Sequence, residues 1–111
     1  MVEIILMDYL KDMLEIPVHM EEQQEKGKFI VLQKTAGGES DHIKTATFAI
    51  QSYGDSKYEA AILNEQLKGV MKSIALLPEI SSAKLNSDYE FPDTEKKKYR
   101  YQAVYELVYY D

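Results

Sequence analysis

A chain of 111 residues carrying 13 basic and 19 acidic side chains, net charge −6, with no cysteine, excludes several kinds of protein. One domain of this size buries roughly two-thirds of the surface its unfolded chain exposes, so a core without covalent staples is feasible. The lack of cysteine removes disulfides, zinc–thiolate sites and thiol catalysis. The negative balance opposes phosphate backbones and anionic membranes at long range, although it leaves room for a local basic patch. No stretch approaches the roughly 20 apolar residues needed to cross a bilayer. The opening MVEIILMDYLKDML has acids where an export signal needs bases. The expectation is an unexported protein with no membrane partner.

In chain order, residues 2 to 14 predict an amphipathic helix. Leu6, Leu10, Met13 and Leu14 fall on one face of a 3.6-residue period, and Asp8, Asp12 and Glu15 fall on the other. Pro17 ends it, because a residue preceding proline is pushed out of the α region. Ile16 to Met20 then alternates as a short edge strand, where the amide that Pro17 lacks is not needed. The segment from Glu21 to Lys28, EEQQEKGK, has no apolar residue and predicts a solvated connection. Phe29 to Leu32 predicts a strand, TAGGESD from Thr35 to Asp41 a turn, and Ile43 to Tyr53 a returning strand with Ala46, Phe48 and Ile50 on one face.

A second helix starts at Ser56. With Glu59 three residues later it forms a capping box, each side chain accepting from the other's backbone N–H. Leu63, Leu67, Val70, Met71, Ile74 and Leu77 hold helical spacing until Pro78. Ser82 to Tyr89 alternates as a strand with Ala83, Leu85, Ser87 and Tyr89 on one face, and Phe91 to Lys97 is a tight connection. The final stretch from Lys98 to Tyr110, KYRYQAVYELVYY, predicts a long strand of aromatic and β-branched residues. It places Tyr99, Tyr101, Ala103, Tyr105, Leu107 and Tyr109 on the core face. The expectation for residues 1–111 is therefore a single α+β domain. Its elements run α-β-β-β-α-β-β, with an antiparallel sheet of about four to five strands and both helices packed on one face.

Motifs for chemistry are sparse. His42 beside Glu39 and Asp41 has no metal-ligand spacing, and an exposed turn explains the same residues. His19 fits the outward position of an edge strand. Gly37-Gly38 lacks the lysine or helix start of a phosphate cradle. The serines lie in caps and turns, without a base or an orienting partner. These features predict no catalytic residue, no metal and no cofactor. KKKYRY, from Lys96 to Tyr101, interleaves charge and rings as a single-strand nucleic-acid platform does. Asp88, Glu90, Asp93 and Glu95 across the same hairpin predict instead a tip solubilised by opposite-charge pairs.

EIILMDYL with IPVHME, HIKTATFAIQSYGDSKYEAAILNE and the closing KLNSDYEFPDTEKKKYRYQAVYELVYY together resemble a family of small proteins. These are encoded in the structural modules of tailed-phage and prophage genomes of low-GC Gram-positive bacteria. That family is similar to the tail-terminator, or head–tail joining, proteins of long-tailed phages. The resemblance implies a virion assembly protein that is not an enzyme, made in the host cytoplasm and ending in the virion. It implies self-assembly into a ring, commonly a hexamer, on the tail tube. The implied partners are the tail tube protein and head-completion proteins, with DNA passing unread through an acidic lumen. Three loops would then carry assembly contacts or line the channel. They contribute Glu21, Glu22 and Glu25; Gly37, Gly38, Glu39 and Asp41; and Asp93, Lys96, Lys97, Lys98 and, just beyond the last loop, Arg100. The alternatives are a head-completion or minor capsid component, and a nucleic-acid-binding accessory protein using Lys96 to Tyr101.

Overall fold

A computed structural model describes residues 1–110. Helix α1 spans Val2–Leu14 and buries Val2, Leu6 and Leu10. It stops at Glu15, which takes the left-handed conformation (φ 56°, ψ 39°) just before Ile16-Pro17. Helix α2 spans Lys57–Met71 behind the Ser56 cap, whose hydroxyl accepts from the Glu59 N–H at 3.1 Å. The return arm of the expected capping box lands one residue earlier. The Glu59 carboxylate accepts from the Asp55 N–H at 3.1 Å, not from Ser56. The apolar run predicted as one helix to Leu77 divides at Lys72, and Ile74–Leu76 form a separate 3-10 turn. Tightening the last turn keeps Ile74 buried while Leu76 points out.

Five strands follow the order β1-β2-β3-β5-β4. They are β1 (Val18–His19), β2 (Phe29–Ser40), β3 (Ile43–Gly54), β4 (Ile80–Glu90) and β5 (Tyr99–Tyr109). The fold is α+β, in the predicted order of elements. The sheet is mixed, however, because β1 pairs parallel to β2 through Val18–Ile30 and His19–Val31 while the remaining pairs are antiparallel. A parallel pair cannot be joined by a tight hairpin, so Met20–Lys28 has to travel around the end of the sheet. Both helices pack on one face. There Leu6, Leu10, Leu63 and Leu67 meet Ile30, Phe48, Ile50, Ala103, Tyr105 and Leu107 in a single buried cluster. The tyrosine-lined face of β5 is thus the core face, with Tyr99 at its exposed start. The Tyr9 hydroxyl donates to the Val70 carbonyl at 2.6 Å and ties α1 to α2.

Two further expectations need correction. Thr35 to Asp41 is not a loop. β2 continues through Gly37 and Gly38, and Ser40 pairs with Ile43 across a reversal made by Asp41 and His42 alone (φ 52° and 69°). A two-residue hairpin turn matching the twist of its strands needs positive φ at both central positions. Aspartate and histidine are among the few non-glycine residues enriched there. The glycine pair that looked like the turn is strand backbone, and the β2–β3 hairpin is correspondingly long, with strands of 12 residues each. In β4, a register shift between Leu85 and Ser87 breaks the alternation. Ala83 and Leu85 stay on the helix side, but Ser87 and Tyr89 move to the other face and Asp88 turns toward α2.

Candidate functional site

The face of the sheet away from the helices is built differently at its two ends. At the end where β2 begins, Phe29, Val31 and Tyr53 form a second, smaller buried cluster. The Phe29 and Tyr53 rings stack at 4.5 Å, almost parallel at 11°. Their register partners place them side by side across β2 and β3, a geometry that pairs aromatic rings directly. Cations close over the pair. The Lys98 ammonium sits 5.7 Å from each ring centroid, and the Arg100 guanidinium lies 5.8 Å from Tyr53 and 4.3 Å from Phe91. Arg100 also donates to the Phe91 carbonyl at 2.6 Å and to the Tyr53 hydroxyl at 2.9 Å. Behind them runs a buried polar row in which Gln51 donates to Gln102 at 2.9 Å and Gln102 donates to the Tyr89 hydroxyl.

The crossover segment folds over this end. His19 meets the Glu25 carboxylate and packs edge-on against Phe29, with the ring centroids 6.0 Å apart at 66°. Lys98 donates to the Gln23 carbonyl, Lys96 pairs with Glu22 at 3.1 Å, and Gly27 (φ 89°) donates its N–H to Asp55 at 2.8 Å. The hydrogen bond and charge of Glu22 raise the Lys96 ammonium above its ordinary range. Between the two loops lies an open cleft of about 460 Å³. Its walls are Gln24, Lys26 and Gly27 on one side and Lys96, Lys97 and Tyr99 on the other, over Phe29 and Tyr53.

The structure therefore sorts the predicted positions into two groups. Glu21, Glu22, Glu25, Asp93, Lys96, Lys97, Lys98 and Arg100 gather at this end, while Gly37, Gly38, Glu39 and Asp41 lie at the opposite end on the β2–β3 hairpin. The hairpin tip is only partly neutralised from within, where the Asp93 charge also acts on Lys96. Asp93 accepts the backbone N–H of Lys96 at 3.1 Å, and the acid that pairs with the Lys96 ammonium comes from the crossover segment. Of the other hairpin acids, Glu90 pairs with Lys57 at 3.2 Å and Asp88 pairs with Lys68. Sequence pattern also missed the Phe29–Tyr53 stack, Gln51 and Gln102. Each is an ordinary strand residue until the register is known. His42 lies in the exposed turn, and among the described residues no group of His, Asp and Glu has metal-holding geometry. Among the described residues no helix is long and apolar enough to cross a membrane.

The second feature with functional potential is an edge. β1 covers β2 only at Ile30 and Val31, so the outer edge of β2 from Leu32 to Ser40 has no neighbouring strand among the described residues. The Ile30 N–H already donates outward, to the Pro17 carbonyl at 3.0 Å. An edge of this kind is a template for another strand. The β2 edge is interrupted by one register shift, between Lys34 and Ala36, whereas the opposite edge, β4, is broken by two, a common defence against pairing. Compared with known proteins, the chain matches no family model and no curated protein.

Proposed function

We propose that this chain is a virion assembly subunit of a tailed phage, a tail-terminator or head–tail joining protein that forms a ring on the tail tube. One observation carries most weight: the surfaces left free are unlike one another. They are a basic-rimmed cleft at one end, a bare strand edge at the other and an acidic outer helix face. A ring requires a patch that meets a different patch on the next copy, and these surfaces differ from one another in that way. The elongated outline of 44 × 25 × 21 Å and the long β2–β3 hairpin suit a subunit that reaches past its neighbour. The net charge of −6 agrees with a lumen through which DNA slides.

The test is the absolute mass of the purified protein by light scattering across concentration, with electron microscopy of any closed species. A ring is the expected outcome, either alone or on an added tail tube. A protein that remains monomeric and ignores tubes would refute the proposal. In a phage lacking the gene, overlong tails are expected; normal tails with leaking heads would instead assign it to head completion.

A further inference from the structure

The cleft and the outer face of α1 carry opposite charge, and we propose that they are the two halves of one contact. On this proposal the α1 face of one copy docks against the cleft of the next. The inference rests on the self-assembly proposed above and names the surfaces that make it.

Most charges around the cleft are already engaged. Glu25 is held by His19, Asp55 by the Gly27 N–H, Lys96 by Glu22, and Lys98 by the Gln23 carbonyl and the two rings. Lys26 and Lys97 remain, exposed on opposing walls, and neither has an ion-pair partner among the described residues. Lys97 is fixed at the hairpin apex by its left-handed backbone (φ 53°) and by the paired Asp93–Lys98 hydrogen bonds, both 3.0 Å. Asp55 keeps its negative charge in the cleft lining, but these two lysines outnumber it, so a chain of net charge −6 presents a locally cationic mouth with the exposed ring of Tyr99 beside it.

The complement lies on α1. Asp8 and Asp12 are exposed on the side opposite Val2, Leu6 and Leu10, and Glu15 follows at the helix end. None of the three is ion-paired among the described residues. Lys11 is the lone cation between them, and Ile4 adds apolar surface. Asp8 and Asp12, one turn apart, project together. A helix about 10 Å across does not fit inside the cleft, so its carboxylates reach in from the mouth toward Lys26 and Lys97. Because α1 covers one face of the sheet and the cleft opens on the other, the contact is head-to-tail and repeats from copy to copy. A nucleic-acid strand suits the cleft less well, since Phe29 and Tyr53 stack on each other beneath Lys98 and Arg100. Only Tyr99 offers an open ring for a base.

The absence of cysteine makes the test direct. Asp12→Cys and Lys97→Cys proteins, mixed and mildly oxidised, should form a disulfide-linked heterodimer in preference to either homodimer. Separately, Lys97→Glu and Asp12→Lys should each raise the concentration needed for assembly by about tenfold, equivalent to about 1.4 kcal/mol. The double variant should recover most of that loss. All four are surface changes, and unchanged thermal melts will show that folding is intact. If wild-type protein assembles, but neither charge reversal shifts assembly and no heterodimer forms, the contact is wrong while self-assembly stands. If wild-type protein stays monomeric yet the heterodimer forms, the contact stands and free assembly fails. Protein that stays monomeric with and without added tail tubes and forms no heterodimer overturns both. Oligonucleotide binding that Lys97→Glu abolishes, with assembly unchanged, would reassign the cleft to nucleic acid.

Discussion

At Gly54, where β3 hands over to α2, an added Cβ would lie 2.7 Å from both the Ala60 nitrogen and the Glu59 Cβ. No side chain can stand there unless the helix start moves away. Gly54→Ala should therefore destabilise the fold by about 1–3 kcal/mol, as overpacking does, measured by urea unfolding. A change below 0.5 kcal/mol would mean that the junction gives way easily. Asp88 is a second decisive residue. Burial alone would raise its carboxyl, but hydrogen bonds from Lys68 and Asn64 and the Lys68 charge outweigh that and hold it below its ordinary value of 3.8. The hydrogen bond to Asp88, then that to Glu65, holds the Lys68 ammonium above its ordinary range. A lowered folded-state value means that the stabilisation is complete above the unfolded-state value and disappears as pH falls through the folded one. Asp88→Asn should cost about 1 kcal/mol near neutral pH. The gap from wild type should close in urea melts below about pH 4, and a pH-independent gap would mean that shape, not charge, matters there.

The same aspartate shows what a pattern of elements hides. The two helices, the tyrosine face of β5 and the Ser56 cap were legible because each is written in a local period or a three-residue spacing. Asp88 looked like one acid among several at a hairpin tip. A register shift one residue earlier, invisible in the alternation of Ser82 to Tyr89, turns it under α2. The cleft was legible only as two separate polar loops. What brings them together is the parallel pairing of β1, decided by tertiary packing over just two residues. The β2–β3 hairpin inverts the lesson, because its strongest turn signal, Gly37-Gly38, is extended strand while Asp41-His42 makes the reversal. Replacing Asp41-His42 with Asn-Gly should then raise stability by about 0.5–1 kcal/mol, read from thermal melts. A loss would show that the aspartate and histidine side chains support the arm.

For the whole molecule, the decisive property is asymmetry: helices on one face, cleft and loops on the other, one edge guarded and one bare. Such a subunit satisfies its own core and leaves its polar ends unmatched, which suits association with copies of itself. Shortening the β2–β3 hairpin by removing two register pairs, Gly38 with Thr45 and Glu39 with Lys44, should leave a folded monomer while abolishing attachment to a tail tube. Circular dichroism and a tube-binding assay read the two effects separately, and full attachment would take the arm out of the assembly contact.

The placement of β5 between β3 and β4 has a consequence in time. During synthesis β3 leaves the ribosome with one long side unpaired, and 44 intervening residues, 55 to 98, must follow before Tyr99–Tyr109 arrives to fill it. Until then the nascent chain holds a hairpin with its β3 flank open and its β2 flank covered by β1 only at Ile30 and Val31, and helices that have only part of their floor. In that interval a neighbouring copy on the same messenger competes for the slot that β5 is meant to occupy. Because β4 pairs with β5 alone, the two strands join the sheet together, and the speed of their arrival, as well as the stability of the finished fold, is a condition for clean production.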